Sequence, residues 1–546
     1  MKNLKWISFL LINALLLPCQ PIFAQRKDDQ AGVTLSASVR KAAEQITGNQ
    51  LRDYLYFITS EERGRDTPSP GQNAIAKFIA LNLSRLGVKP AGDNGNYFQR
   101  FSIRRDKIDT DKSYAESKYR KYVVGDDYIL SLGSTIGTVS GQLVYVGHGF
   151  VHKAKNIDAY KGVDVKDKIV IFSHSTGNGL PKGLQLSDLT GKRGEDWERP
   201  IEAAKKRGAK AVIRMPNVSS LSVWRSQRES LKNGRLSPEK PENQPTFILP
   251  DFTLSVHMMD DIFTGEKISF EEIFRRGIEN NQAESFELGP DKRLSFTTTT
   301  VSEQFSSQNV LGVIEGSDPI LKNEYVTFMA HYDAIETGAD DNGSGTVALL
   351  EIAEAFMSGP RPKRSILFLW DAGEEKGLLG TRYFVQNPPV AMDKIATHFN
   401  IDMIGRSKKE GDTEPENKDL SGANEVYLVG PKTLSTELYN LLHSVNSSYL
   451  NLNYNHRFDL VDHQFFFPRG DHAPLLQKGV LVADYSTGLH VDYHEVSDVP
   501  EKIDYTKMEK IARTIFVSAW TIANAPKRPV IDKPLPEELK NRRLWQ

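Results

Sequence analysis

Two helical patterns of apolar residues follow position 39 of the chain. One carries Leu51 and Leu55, and the other repeats apolar residues at spacings of three and four, at Ile75, Phe78, Ile79, Leu83 and Leu86. Between them, Ser60 to Arg65 and Pro68 to Gly71 are rich in polar residues, glycine and proline. This composition predicts a loop between two helices.

From about Thr135 the pattern changes to short apolar runs that are typical of strands. The clearest runs are Gly141 to Gly147 and Lys168 to Phe172, and a predicted helix from Ile201 to Gly208 leads into a further strand, Ala209 to Ile213. The segment from Asn217 to Gln244 is polar and rich in serine. It is therefore predicted to form exposed loops.

The second half of the chain alternates predicted strands with predicted helices. The helices include Thr346 to Phe356, and another, Tyr505 to Ile522, follows the last strand. The strands are Val310 to Ile314, Tyr325 to Ala330, Ser365 to Trp370, Ala396 to Ile401, Glu425 to Val429 and Val480 to Asp484. This alternation predicts an α/β fold with a mainly parallel mixed sheet and helices on both faces.

The longest apolar run stands at the start of the chain. Met1 to Lys5 carries two lysines, Trp6 to Leu17 is apolar apart from a serine and an asparagine, and Ala24 is a small residue suited to a cleavage site. This order predicts a signal peptide over residues 1–24, because the run is shorter than the 18 or so apolar residues of a membrane span. We expect export to the periplasm or the medium, with no stable membrane insertion after cleavage.

Composition narrows the choice of partners and ligands. The 546 residues are 39% hydrophobic and 25% charged, which is typical of a globular protein of two or three domains. The 69 Lys and Arg nearly balance the 70 Asp and Glu, so no basic field favours nucleic acid. The single cysteine, Cys19, lies within the predicted signal peptide, so the mature chain is expected to lack disulfides and thiolate metal sites.

Four of the predicted strands run into clusters of metal-type ligands. In open α/β sheets the site lies outside the carboxyl ends of the strands, so the four clusters are expected to converge. Histidine, aspartate and glutamate without cysteine suit zinc, and a carboxylate can bridge two ions. The clusters are His331-Tyr332-Asp333 with Gly338 to Gly345, Asp371 to Gly377, Asp402 to Arg406, and His490 to His494.

The ordered set of motifs resembles the exported co-catalytic two-zinc aminopeptidase family, which has a phosphorylase/hydrolase-like α/β core. The resemblance covers about Gln308 to Ile522. The matching text is His331-Tyr332-Asp333, Gly338 to Gly345, Glu374 to Gly380, Asn400 to Gly405, and Tyr493-His494. The chain departs from the family pattern at Gly343, where alanine is more common, and at Gly470, where a serine often precedes Asp-His, but neither change removes a proposed ligand.

The resemblance implies a role for each site residue and a cofactor of two Zn²⁺ ions. One zinc ion would be held by His331 and Asp402, the other by Glu375 and His494, and Asp341 would bridge them. Asp333 would orient the His331 ring, Glu374 would act as general base towards a metal-activated water, and Tyr493 would stabilise the oxyanion. The implied substrates are peptides with a free amino terminus.

The remaining histidines receive less specific interpretations. His490 either shapes the substrate pocket or is a hydrogen-bonded structural residue. His472, with Asp471, is interpreted as support for the ligands. The others, His398, His456 and His463, are expected to be ordinary polar or core residues.

The middle of the chain resembles a protease-associated domain, which is a β-rich insert of several peptidase families. The resemblance rests on Leu143 to Gly149, Gly162 to Ile171 and Ala203 to Ile213, and the Glu62 to Arg65 segment before it resembles the opening of the peptidase domain. The predicted organisation is a signal peptide (1–24), the first part of the peptidase domain (25–134), the insert (135–285), the zinc peptidase domain (286–524) and a proline-rich tail (525–546).

Three other functions stay open on the sequence alone. A carboxypeptidase or dipeptidase could use the same core, because the residues that bind a terminal amine or carboxylate cannot be identified. A single-zinc enzyme of the glutaminyl cyclase type would need fewer ligands, and a receptor-like ectodomain would need none. The sequence leaves the oligomeric state and the side-chain preference open.

Overall fold

The computed structural model describes residues 33–61, 64–130, 136–173, 180–239, 249–459, 467 and 469–535. The predicted signal peptide, Cys19, His463 and the end of the tail lie outside these residues. Within them, no helix is long and apolar enough to cross a membrane.

The described residues contain fourteen α-helices. In chain order they are α1 (Ala37–Ala43), α2 (Gly48–Thr59), α3 (Pro70–Leu86), α4 (Pro200–Lys206), α5 (Val218–Ser222), α6 (Trp224–Asn233), α7 (Val256–Phe263), α8 (Phe270–Ile278), α9 (Gly345–Ser358), α10 (Leu379–Gln386), α11 (Pro431–Leu434), α12 (Thr436–Ser447), α13 (His472–Gln477) and α14 (Tyr505–Asn524). The segment Ala339–Ser344, whose backbone departs from helical geometry at Asp341 and Asn342, leads into α9.

The strands form two large sheets and one small one. In chain order they are β1 (Lys89–Pro90), β2 (Phe98–Ile108), β3 (Tyr114–Glu116), β4 (Lys121–Val123), β5 (Tyr128–Leu130), β6 (Gly137–Tyr145), β7 (Val151–His152), β8 (Ile157–Asp158), β9 (Ile169–Phe172), β10 (Trp197–Glu198), β11 (Ala211–Arg214), β12 (Arg235–Pro238), β13 (Asp251–Leu254), β14 (Phe286–Glu287), β15 (Arg293–Thr298), β16 (Thr300–Ile314), β17 (Tyr325–His331), β18 (Ser365–Asp371), β19 (Ile395–Ile401), β20 (Glu425–Val429), β21 (Asn453–Asn455) and β22 (Val482–Ser486).

The main sheet has the order β12-β2-β16-β18-β17-β19-β22-β20-β21, with β1 also paired to β16. Its four central strands, β18-β17-β19-β22, are parallel. The strands that flank them, β16 and β20, are antiparallel to their inner neighbours. The prediction of an α/β fold with a mixed sheet is therefore confirmed. The predicted parallel pairing is found at the centre and between β20 and β21, whereas the other pairs of this sheet are antiparallel.

Helices cover both faces of the main sheet. On one face α9 and α14 pack over a large apolar cluster that includes Phe328, whose ring stacks between Phe368 and Phe399 at centroid distances of 5.5 and 5.4 Å. On the other face α10 and α13 contribute Phe384 and Leu475 to a smaller cluster. Burial on both faces explains the apolar run of β18, Ile366 to Trp370, as expected of a central parallel strand.

Both predicted N-terminal helices have side-chain caps, although α3 begins at Pro70, inside the predicted loop that ends at Gly71. Ser69 caps α3 by accepting a hydrogen bond from the Gln72 backbone N–H, and Gly87 ends the helix in the left-handed region at φ 77°. Thr47 caps α2 in the same way. Both predicted helices are present, and a short additional helix, α1, precedes them.

The second large sheet has the order β4-β3-β15-β6-β9-β11-β13-β5, with β14 also paired to β6. Its central strands bury alternate residues on opposite faces: Tyr145 and Ile171 enter one apolar cluster, and Val144 and Val170 enter another. The sheet begins at Tyr114 and ends at Thr298, so it extends beyond the predicted insert bounds of 135 and 285 on both sides.

The prediction of exposed loops over Asn217 to Gln244 is wrong for its described part. Residues 218–233 form α5 and α6, and β12 adds to the edge of the main sheet beside β2. Leu231 is buried, and the indole N–H of Trp224 donates to the Gly125 carbonyl at 2.9 Å. Two apolar anchors are enough to hold a helix whose other residues are polar, so composition alone misleads here.

Candidate metal centre

The polar clusters lie side by side at the carboxyl ends of the four parallel strands. His331 is the last residue of β17, and the register places it beside Asp371, the last residue of β18. Asp402 directly follows β19, and the chain that leaves β22 leads to His494. The predicted convergence of the four clusters is therefore observed.

The first candidate group consists of His331, Asp341 and Asp402. The His331 Nε2 atom lies 3.2 Å from Asp341 Oδ1 and 3.4 Å from Asp402 Oδ1. Although burial disfavours a charged imidazole, the nearby carboxylates, with Asp402 foremost, raise the pKa of His331 well above its ordinary value. The ring thus lies among negatively charged carboxylates, and a bound cation would reduce their mutual repulsion.

The second candidate group consists of Asp341, Glu375 and His494. The His494 Nε2 atom lies 3.1 Å from Asp341 Oδ2 and 3.1 Å from Glu375 Oε2. Burial lowers the pKa of His494, but the two carboxylates outweigh it and raise this pKa to about 10. Asp341 belongs to both groups, and its two oxygens face different histidines.

The positions of the ligand atoms suit bound metal ions, and several of these atoms form no hydrogen bond with their neighbours. Within each group they lie within 4.8 Å of one another. Four of these atoms are buried without a hydrogen-bond partner: His331 Nε2, Glu375 Oε1, Asp402 Oδ1 and His494 Nε2. Buried polar atoms are rarely left unpaired, and imidazole with carboxylate but no thiolate is a donor set that suits zinc. The shared Asp341 gives the arrangement room for two ions.

Asp333 lies behind the first group. Its backbone carbonyl is 3.1 Å from His331 Nδ1, and its carboxylate Oδ1 is 3.7 Å from the same atom. That carboxylate also accepts from the Glu374 backbone N–H at 3.3 Å and from the Thr67 hydroxyl at 3.2 Å. Asp333 therefore connects the His331 ring to the loop that carries both glutamates.

Glu374 and Glu375 diverge, as adjacent residues in a loop are expected to do. Glu375 belongs to the second ligand group, whereas Glu374 lines a cleft together with Asp341, Asp402 and Tyr493. Burial, reinforced by the surrounding carboxylates, raises the pKa of Glu374 well above its ordinary value. Glu374 is thus a proton-accepting group beside the ligands but outside both groups.

Tyr493 is held against the second group. Its ring stacks on that of His494 with a centroid distance of 3.8 Å and an angle of 24°. Burial and then the nearby carboxylates raise the pKa of Tyr493, so its hydroxyl keeps its proton. The hydroxyl is a hydrogen-bond donor on the wall of the cleft.

The loop that carries Asp341 is anchored by residues that were not predicted to support the site. The buried Arg65 guanidinium donates to the carbonyls of Tyr332, Thr337 and Gly338 at 3.2, 3.2 and 2.7 Å. Asp498 accepts from the Asp341 backbone N–H at 3.2 Å. Arg65 belongs to the Glu62 to Arg65 segment, which resembles the opening of the peptidase domain. No local sequence pattern points to Asp498.

The other described histidines lie outside both ligand groups. His490 is buried with its Nε2 atom 3.3 Å from Asp340 Oδ2, but neither of its ring nitrogens forms a hydrogen bond, so the two interpretations both stay open. His472 lines the cleft, and the neighbouring Asp471 accepts from the Thr381 hydroxyl at 2.6 Å. His398 contacts the Thr327 hydroxyl in the core, and His456 contacts the Leu428 carbonyl.

The fold and the site together define the class: an α/β protein with a candidate two-ion centre of carboxylate and imidazole ligands. Residues 309–519 match the sequence model of Peptidase family M28. This part of the chain, which contains every residue of both ligand groups, fits peptidase family M28. The resemblance of its motifs to the co-catalytic zinc aminopeptidases is thereby confirmed at the level of the family.

Individual relatives are distant and match only in part. The chain is 27% identical to the leupeptin-inactivating enzyme 1 of Streptomyces exfoliatus over 43% of this chain and 53% of that enzyme. It is 28% identical to a glutamate carboxypeptidase 2 homolog of Caenorhabditis elegans over 51% of this chain and 39% of that protein. The chain thus spans about half, or less, of the length of these relatives.

A solved structure extends the likeness beyond the matched domain. The aminopeptidase from Aneurinibacillus sp. strain AM-1 aligns with a TM-score of 0.53 at 16% sequence identity, over 91% of this chain and 98% of that one. At this identity the match shows a shared fold.

Proposed function

We propose that this protein is an exported zinc-dependent aminopeptidase that releases residues from the free amino end of peptides. The observation that carries the proposal is the pair of ligand groups joined through Asp341, with Glu374 and Tyr493 facing the same cleft. A hydrolytic centre needs a proton acceptor and a hydrogen-bond donor to the oxyanion next to its Lewis acid. Glu374 is suited to the first task and Tyr493 to the second.

The proposed ligands follow the two groups. His331 and Asp402 would hold one zinc ion, Glu375 and His494 the other, and Asp341 would bridge them. When bound, the ions would lower the pKa of water and polarise the carbonyl of the scissile bond. Asp333 would keep the His331 ring in one orientation by accepting the proton of its Nδ1 atom at the backbone carbonyl.

Glu374 and Tyr493 would divide the proton transfers. Glu374 would take a proton from the attacking water and return it to the leaving amine. The Tyr493 hydroxyl, held in its neutral form, would donate a hydrogen bond to the oxygen that gains negative charge. Neither residue belongs to a ligand group, so each can act without releasing an ion.

The names of the relatives support a peptidase, but they differ on whether it cleaves from the amino end or the carboxyl end of peptides. Relatives of 25% to 26% identity are named as aminopeptidases in Bacillus subtilis and Saccharomyces cerevisiae, whereas the Caenorhabditis relative is named for a carboxypeptidase. Acids around the cleft favour recognition of a free α-amino group over a free carboxylate, which is why we choose the amino end.

Export and the accessory domain belong to the same proposal. The basic and apolar start of the chain would direct secretion or periplasmic localisation, with cleavage after Ala24. The second sheet would be a protease-associated insert without ligands of its own, because both ligand groups lie outside it. Peptides, and not nucleic acid, would be the partners of the mature enzyme.

The proposal is tested by counting metal ions and by comparing blocked and unblocked substrates. The purified protein should contain two zinc ions per chain and release 4-nitroaniline from aminoacyl 4-nitroanilides. Acetylation of the amino group should remove most of this activity. Equal turnover of free and acetylated substrates, or release only from the carboxyl end of peptides, would contradict the aminopeptidase assignment.

A further inference from the structure

An acidic side chain lines the catalytic cleft at a distance from the ligand groups. We call the part of the cleft formed by Gly470, His472, Asp484 and Ser486 the side pocket. Asp484 belongs to neither ligand group, and its side chain is 12% exposed. Nothing in the proposed chemistry uses it, so its place in the cleft needs another explanation.

Strand register fixes the position of Asp484 relative to the centre. β22 runs parallel to β19, with Asn400 beside Asp484 and Ile401 beside Tyr485. Asp402, the next residue, is therefore level with Ser486. Asp484 lies on the neighbouring strand and two residues deeper, about 7 Å along the strand direction, and points to the same face because side chains alternate. The Asn400 amide N–H, which donates to Asp484 Oδ1 at 3.0 Å, confirms that shared face.

The surroundings of Asp484 consist largely of hydrogen-bond acceptors. The His472 Nε2 atom lies 2.6 Å from the Phe467 carbonyl and must donate to it, which leaves His472 Nδ1 with a lone pair in the neutral ring. His472 Nδ1 and Asn400 Oδ1 are both buried without a hydrogen-bond partner. Both residues are 1% exposed, so these acceptors are not satisfied by bulk solvent.

Positive charge is scarce around Asp484. Among the described residues, no lysine or arginine forms an ion pair with it, and the neutral His472 ring, with Nδ1 at 3.9 Å, supplies no positive charge. Arg469 lines the same cleft but already has an interaction partner of its own. A buried carboxylate without a cation is costly, and a cationic ligand would offset that cost.

Gly470 keeps the side pocket open. A Cβ atom at this position would lie 3.0 Å from His472 Nδ1 and 3.5 Å from the Asn400 amide nitrogen. A Cβ atom would therefore crowd the His472 ring, whereas its contact with Asn400 would be an ordinary one. Glycine leaves space for an incoming side chain at this point of the cleft.

We propose that the side pocket receives the side chain of the substrate's amino-terminal residue and that Asp484 selects lysine or arginine there. The proposal rests on the aminopeptidase function proposed above. With the scissile bond at the two ligand groups, a long unbranched side chain would extend along the strand direction to Asp484. Its terminal N–H groups would donate to the carboxylate and to the unpaired acceptors beside it.

The test compares substrates that differ only in charge. Lysine and norleucine share the same carbon chain, and norleucine lacks the ammonium group, so the ratio of their kcat/KM values as 4-nitroanilides isolates the contribution of that group. A charge-assisted hydrogen bond in a buried site predicts a preference for lysine on the order of 10- to 100-fold. In Asp484→Asn the ratio should fall to within about threefold of one.

Controls separate recognition from structure. Asp393→Asn removes the same charge from an exposed position on the surface and should leave the lysine preference as it is. If Asp484→Asn lowers kcat/KM equally for the lysine and norleucine substrates, so that their ratio is unchanged, the role of Asp484 is purely structural and the proposal is overturned. The wild-type ratio gives a test that does not depend on whether the variant folds.

The outcomes also distinguish the side pocket from the enzyme's basic function. Turnover of norleucine with no preference for lysine, or a preference for glutamate that would assign the pocket to Arg469, would overturn the role of Asp484 and leave the aminopeptidase proposal standing. No turnover of lysine, norleucine or glutamate derivatives by protein that contains its zinc would overturn both.

Discussion

The adjacent glutamates provide the sharpest test of the proposed centre. Glu374→Gln preserves the shape of the side chain but removes its basic carboxylate. Because Glu374 belongs to neither ligand group, the variant should keep the same zinc content as the wild type. Its turnover should fall by about 10²- to 10⁴-fold, the usual contribution of a positioned general base, which corresponds to about 3–5 kcal/mol of activation free energy.

Glu375→Gln should give the opposite combination. Glu375 Oε2 lies 3.1 Å from His494 Nε2, and its Oε1 atom is buried without a hydrogen-bond partner. Outer partners of metal ligands contribute about 10- to 100-fold to metal affinity, and the loss of a ligand itself should cost at least as much. One zinc ion should therefore become labile, and excess zinc should restore part of the activity.

Metal content distinguishes the two variants before any kinetic assay. Zinc is measured by atomic emission on dialysed protein, and turnover is measured on one aminoacyl 4-nitroanilide with and without added zinc. Glu315→Gln, which changes a glutamate paired with surface lysines, serves as the control and should match the wild type. If Glu374→Gln loses zinc while Glu375→Gln keeps both ions and is inactive, the two roles are exchanged and our reasoning on this motif is wrong.

Three further predictions concern the frame around the centre. Arg65→Lys keeps the charge but loses the planar set of donors to the 332–338 loop, so zinc content and thermal stability should both fall; wild-type values in both measurements would contradict the anchoring role. Burial raises the pKa of Glu351 to about 8, so the folded protein retains a proton that the unfolded chain releases above its lower, ordinary pKa. The free energy of unfolding should thus lose a few kcal/mol, at most about 4, as pH rises from 4.5 to 8, and denaturant titrations of Glu351→Gln should lack this loss. Because Ile108 and Thr300 are register partners, replacing residues 109–299 by a two-residue turn should leave zinc binding intact in folded protein; a folded variant without zinc would mean that the second sheet supplies a ligand.

The parts of the fold that could be predicted are those whose signal is local. The central strand β18 is buried on both faces and contains the apolar run Ile366 to Trp370, and the ends of β17 and β19 are marked by His331 and Asp402. The flanking strand Glu425–Val429 was predicted with its observed bounds, and the bounds of the four central strands differ by one or two residues from the prediction. Since parallel strands end at the same edge, the four polar clusters could be expected to converge, whereas the assignment of individual ligands rests on the family resemblance.

The parts that could not be predicted depend on contacts between distant residues. The α6 helix is anchored by Trp224 and Leu231 within an otherwise polar sequence, and its partner Gly125 lies far back in the chain. Strands β3 and β4 are three residues long, too short for an alternating pattern to be recognised, and they belong to the second sheet only through pairing with β15 and with each other. The predicted start of the insert was therefore later than the start of the sheet.

The anchoring of Asp341 explains how so many acids can stand together at the centre. Its carboxylate faces two histidines, and the acids Asp402 and Glu375 lie on either side, so the ligands repel one another unless cations intervene. Hydrogen bonds to the backbone hold the loop in place. Arg65 donates to the Gly338 carbonyl at 2.7 Å, and Asp498 accepts from the Asp340 backbone N–H at 2.9 Å. Because these bonds use main-chain atoms, they leave both oxygens of Asp341 available. A loop fixed in this way presents its carboxylate in the bridging position at little cost in conformational entropy when ions bind, which is the condition for tight metal binding at a site rich in like charges.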